Sequence, residues 1–125
     1  MKLTRADGDA QALIAAYGDQ GFRVNEDRIE GSVLICNGKA ERWAVADPAR
    51  ITPESLDSVV AADPAVELLL LGTGSDLALL PDDTRGMLEA RGIPHDVMDT
   101  GAAARTFNVL ALEGRRVAAA LIAVS

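Results

Sequence analysis

The chain has 125 residues, 49% of them apolar and 25% charged, with a net charge of −7. That is the length and composition of one globular domain, and the acidic balance argues against nucleic acid and anionic membrane surfaces as partners. One cysteine, Cys36, excludes an internal disulfide, and one histidine beside it cannot furnish a zinc site of Cys and His ligands.

Residues 1–9 are polar and acidic, lack the apolar core of a signal peptide, and are expected to be the flexible end of a single domain over residues 1–125. Residues 10–46 read as an antiparallel meander. Phe22 and Val24 alternate with polar residues, Asn25–Asp27 supplies a turn, and a strand is expected over Ile29–Cys36. Asn37-Gly38 then marks a hairpin into Ala40–Val45.

The period changes at Asp47. Thr52 as N-cap with Pro53 behind it predicts a helix whose apolar stripe is Leu56, Val59 and Val60. Val66–Leu71 reads as a buried strand. A second helix is capped by Asp82 or Asp83, faces inward through Met87 and Leu88, and ends at Gly92. Ile93–Met98 is a strand. A third helix starts at Thr100 as cap, buries Phe107 and Leu110, and ends at Gly114. The apolar "RVAAALIAV" closes the chain as a central strand. The alternation of helix and strand in this half predicts an α/β layer on a largely parallel sheet.

Gly72-Thr73-Gly74 follows a strand, where α/β proteins place ligands. The dinucleotide fingerprint needs a third glycine, but Leu77 holds that position. No Walker lysine follows, and Asp82 and Asp83 would repel an anion at the next helix start. The glycines are therefore read as a sharp turn, and no cofactor is expected.

Cys36 reads as a buried structural thiol and His95 as an edge-strand residue, so neither is assigned to catalysis. Asp96 and Asp99 read as strand-end and helix-cap residues. Trp43 is expected to be partly buried. Arg105 and Asn108 share a helix face. With Thr100 and the helix amides, Arg105 has the chemistry to hold a small anion. The competing reading is a solvated face on which Arg105 pairs with Asp99 or Glu113; Glu113 and Arg116 flank the turn into the last strand.

"LLLLGTG" and "GIPHDVMDTGAAARTFNVLALEGRRVAAALI" resemble a family of small α/β proteins of largely unknown function. It was first known from an archaeal structural-genomics target, and it includes the mitochondrial respiratory complex I assembly factor 3 and an adipogenesis-associated cytoplasmic protein. The most specific parts are Gly72-Thr73-Gly74, Met98 with Thr100, Arg105-Thr106-Phe107-Asn108 and Glu113-Gly114-Arg115. The resemblance implies a three-layer β+α/β/α fold with a central mixed sheet whose last strand runs antiparallel. It implies no agreed catalytic residues and hints at assembly or interaction roles. Mitochondrial members carry an N-terminal import segment, whereas this chain is expected to start directly at the domain, as a bacterial cytoplasmic relative would.

The leading expectation is a non-enzymatic protein-interaction or assembly domain. Its ligand- or partner-binding surface comprises Gly72, Thr73, Gly74, Ser75, Thr100, Arg105, Thr106 and Asn108. The alternative is a small-molecule (anion) binding protein or enzyme using the same pocket. No membrane insertion is expected, and an edge strand in the meander leaves room for a homodimer.

Overall fold

The computed structural model describes residues 12–125, so the expected flexible stretch 1–9 lies outside them. Strands β1 (Ile14–Gly18), β2 (Gly21–Val24) and β3 (Asp27–Glu30) form a three-stranded antiparallel sheet in sequence order. β4 (Ser32–Cys36), β5 (Lys39–Trp43), β6 (Leu68–Gly72), β7 (His95–Met98) and β8 (Val117–Leu121) form a five-stranded sheet ordered β5-β4-β8-β6-β7. Three helices accompany it: α1 (Asp57–Val60), α2 (Asp82–Ala90) and α3 (Thr100–Leu112).

The expected single strand Ile29–Cys36 is two strands in two sheets. The break is Gly31, whose φ of +83° lies in a region that side chains with a Cβ rarely adopt. The antiparallel reading of residues 12–46 holds, but one meander becomes two sheets. The Asn37-Gly38 hairpin forms as expected, with Cys36 opposite Lys39 and both turn residues at positive φ.

β8 is central, as its apolar run predicts, and all five of its residues are buried. It runs parallel to β6 and antiparallel to β4. The expected antiparallel last strand is thus correct against β4 alone, and the mixed sheet arises there. β6 and β7 pair in parallel, joined through α2.

The sheet has a core on each face. One joins Ile14, Phe22 and Val24 of the small sheet to Val33, Ile35, Leu70, Ala119 and the Ala103, Ala104, Phe107 and Ala111 face of α3. The other joins Leu34, Leu69, Leu71, Ala118 and Ala120 to Trp43, Ile51, Leu56, Val59, Leu80 and Leu88. The three layers are therefore small sheet plus α3, central sheet, and α1 with α2. Ala103 and Ala104 of α3 share their core with Ala119 of β8, while Ala118 and Ala120 point into the other core, so small side chains at the centre of β8 let both layers approach it closely.

Local signals shift by a residue or two. The helix expected after Thr52 is a 3-10 turn, Glu54–Leu56, followed by the single turn α1; Thr52 Oγ1 still accepts from the Ser55 amide at 3.2 Å. Pro81, not Asp82 or Asp83, precedes α2, where Asp82 instead pairs with Arg85. Trp43 is more deeply buried than expected, at 7% exposure, and its indole N–H donates to the Ser55 carbonyl at 2.9 Å.

Candidate functional site

β6 ends at Gly72, and the chain turns there against the first residue of α3 and the end of β8. The Gly72 carbonyl accepts from the Ile122 amide at 2.9 Å. A Cβ on Gly72 would lie 2.9 Å from Leu121 Cδ2 and 3.0 Å from both Cα and Oγ1 of Thr100. Gly72 is thus needed for close approach rather than for the sharp turn expected of it, and the positive φ of +104° falls at Gly74.

Thr73 donates its amide to the Met98 carbonyl at 2.9 Å. Its hydroxyl donates to the Asp76 carbonyl (2.7 Å), with the Met98 carbonyl at 3.2 Å, and accepts from the Ala78 amide at 3.1 Å. Thr100 is fully buried. Its hydroxyl donates to the Ile122 carbonyl at 2.7 Å and accepts from the Gly74 amide at 2.9 Å, while its own amide donates to the Gly74 carbonyl at 2.8 Å. The Thr73, Gly74 and Thr100 amides and both threonine hydroxyls are thus consumed inside the molecule.

The start of α3 is likewise occupied. Asp99, not Thr100, is the N-cap, and its carboxylate accepts from the Ala102 amide at 2.9 Å. A negative charge already stands where a ligand anion would sit.

The sequence-predicted residues therefore separate into two groups. Gly72, Thr73, Gly74 and Thr100 form a buried latch between β6, α3 and β8. Ser75, Arg105, Thr106 and Asn108 reach the surface to differing extents, Ser75 and Arg105 being exposed. Arg105 pairs with neither Asp99 nor Glu113; its guanidinium donates to the Tyr17 hydroxyl at 3.0 Å. Gly101 makes room for that contact, since a Cβ there would meet the Tyr17 hydroxyl at 2.8 Å. Asn108 binds the backbone of β1 twice, accepting from the Ile14 amide at 2.9 Å and donating to its carbonyl at 2.8 Å. These side chains border a groove of about 360 Å³ floored by Ala15, Ala16 and Ala104.

Tyr17, Gly101, Leu77 and Leu79 were not among the predicted site residues. The two leucines are 66% and 85% exposed in the loop after the latch. Their signal in the sequence is an apolar "LALL" run lying between a completed strand and a helix start.

Cys36 and His95 lie on β4 and β7, with β8 and β6 between them. Three strand spacings, about 14 Å, separate such positions, so they form no nucleophile–base pair. Cys36 is half-buried rather than buried, and burial pushes its thiol pKa up, with the Glu41 carboxylate adding to the effect. Among the described residues, no group of three or more His, Cys, Asp or Glu is placed to hold a metal ion.

The family model described as a protein of unknown function, DUF498/DUF598, matches residues 14–122. The chain belongs to this family. It is 33% identical over 122 residues to an assembly factor 3 of the NADH dehydrogenase [ubiquinone] 1 alpha subcomplex from Danio rerio, covering 98% of this chain and 70% of that one. A Bartonella henselae structure described as an outer membrane protein is 39% identical, with a TM-score of 0.86, and the match covers 94% of this chain and 98% of that one. An Mth938-like domain from Bordetella pertussis is 33% identical at a TM-score of 0.79, covering 98% and 92%. The family's α/β domain is thus the fold of this chain. Among the described residues, no helix is long and apolar enough to cross a membrane.

Proposed function

We propose that this chain is a non-enzymatic protein-interaction or assembly domain of the bacterial cytoplasm. The observation that carries it is the internal satisfaction of the Gly-Thr-Gly latch. The loop that places a ligand in many α/β proteins here spends its Thr73, Gly74 and Ala78 amides and its Thr73 hydroxyl on its own fold and turns leucines outward. The assembly-factor relatives support the same class of activity. Ser75 and the exposed face of α3 around Arg105 are the predicted site residues that remain available to a partner.

The test is in-cell crosslinking of the full chain, followed by mass spectrometry and fractionation. Discrete protein adducts in the soluble fraction are expected. A protein that carries no adduct but retains a small anion beside Arg105 would overturn the reading in favour of ligand binding. Recovery with membranes would overturn the location.

A further inference from the structure

We propose that the loop Ser75–Leu79 docks a basic, apolar segment of a partner protein, an inference that rests on the interaction-domain reading above. Leu77 and Leu79 are 66% and 85% exposed, although they sit in a loop fixed from both sides. Upstream, the Thr73 hydroxyl clamps the Asp76 carbonyl and the Ala78 amide. Downstream, Leu80 is buried in the core beside Ile51 and Leu88, and Pro81 leads directly into α2. The alternation that buries Leu80 and ties down Ala78 turns Leu77 and Leu79 to solvent. The ordering cost of a docking loop is thus met by the fold itself, which favours binding.

Charge selects the partner. Asp76 lies within the loop, and Asp82 and Asp83 stand in the first turn of α2 immediately after it. Arg85 neutralises one of the three, pairing with Asp82 at 2.9 Å. Asp76 and Asp83 have no salt-bridge partner among the described residues; beside two exposed leucines, on a chain of net charge −7, they complement a segment in which Lys or Arg flank apolar residues. An acidic segment or an anionic lipid surface would be repelled.

The probe is a cationic Leu/Lys amphipathic helix peptide, titrated into the full chain by fluorescence anisotropy, with a Leu/Glu peptide as its charge-reversed control. The Leu/Lys peptide is expected to bind, more weakly as salt rises, and about tenfold or more weakly to the Leu77→Ser, Leu79→Ser variant. Leu112→Ser, which removes an equally exposed leucine from α3, is expected to leave binding unchanged. Equal binding of the Leu/Glu peptide, or full binding by the double variant, overturns the proposal. So does loop-dependent binding to phosphatidylcholine vesicles, which would assign the leucines to a membrane. A photo-crosslinking residue at position 79 or 112 in cells separates the two levels. Protein adducts from 112 alone sink the loop and leave the interaction reading standing, whereas adducts from neither sink both.

Discussion

The Gly74 amide donates to the buried hydroxyl of Thr100 at 2.9 Å, and the Thr100 amide returns a bond to the Gly74 carbonyl at 2.8 Å. This reciprocal pair closes the turn after β6 onto the first residue of α3. The same hydroxyl continues to the Ile122 carbonyl beyond β8, so one side chain ties together three segments far apart in sequence. Replacing Thr100 with Val keeps the shape and strands both a buried amide and a buried carbonyl. The expected cost is about 1–3 kcal/mol for each group left unsatisfied. Thermal unfolding should show a fall of at least ~4 °C, while Thr100→Ser stays closer to the parent. A Thr100→Val protein as stable as the parent would show that the hydroxyl contributes nothing to the latch.

Gly72 makes the second half of that latch a matter of space. A methyl group there meets Leu121 Cδ2 at 2.9 Å and the backbone of Thr100 at 3.0 Å. The leucine tip has some freedom to shift, but the Thr100 Cα does not move without displacing α3. Gly72→Ala is therefore expected to destabilise by about 1–3 kcal/mol, read from a urea midpoint that falls without a change in slope. An unchanged midpoint would mean that α3 yields readily.

Arg105 and Asn108 share a helix face but differ in kind. Asn108 acts like a residue of a neighbouring strand, satisfying both backbone groups of Ile14 at the edge of the small sheet. Asn108→Ala is expected to cost about 1 kcal/mol and to accelerate hydrogen exchange at the Ile14 amide. Arg105 is exposed and holds only the Tyr17 hydroxyl, so Arg105→Ala should change stability by no more than about 0.5 kcal/mol. If Arg105→Ala proves the more destabilising, the division of roles is wrong.

The sequence carried the order of the α/β half well, because each helix and strand there has its own periodicity and stop signal. The central place of β8 follows from five buried positions in a row, with no polar residue to claim a solvent face. What it concealed depends on contacts across the chain. Gly31 falls inside the expected strand Ile29–Cys36, and its positive φ is what breaks that strand into β3 and β4 of different sheets. Asp99 and Thr100 both read as helix caps; Asp99 is the one that caps, and what the sequence concealed is that the threonine is thereby freed for burial. The site suffered the same limit. Spacing placed Arg105 beside Asn108, but Ile14 and Tyr17, which decide what each does, lie 94 and 88 residues away in sequence.

Cys36 offers a pH-dependent test of the β4–β5 edge. Burial raises its thiol pKa, and Glu41, held by a hydrogen bond from the Ser58 hydroxyl at 3.1 Å, raises it further. Alkylation by iodoacetamide at pH 8 should therefore be slower than for an unstructured cysteine peptide, with its midpoint displaced to higher pH. Glu41→Gln should move that midpoint part of the way down, since burial is the larger cause and remains. The sign for stability follows. A folded-state pKa above the unfolded one favours the neutral thiol in the fold, a contribution fully present below the unfolded value and lost as pH rises through the folded one. Cys36→Ala should flatten that alkaline loss, followed by urea midpoints across the thiol range. Alkylation as fast as the free peptide's would show that the thiol is open to solvent and that the β4–β5 edge does not shelter it.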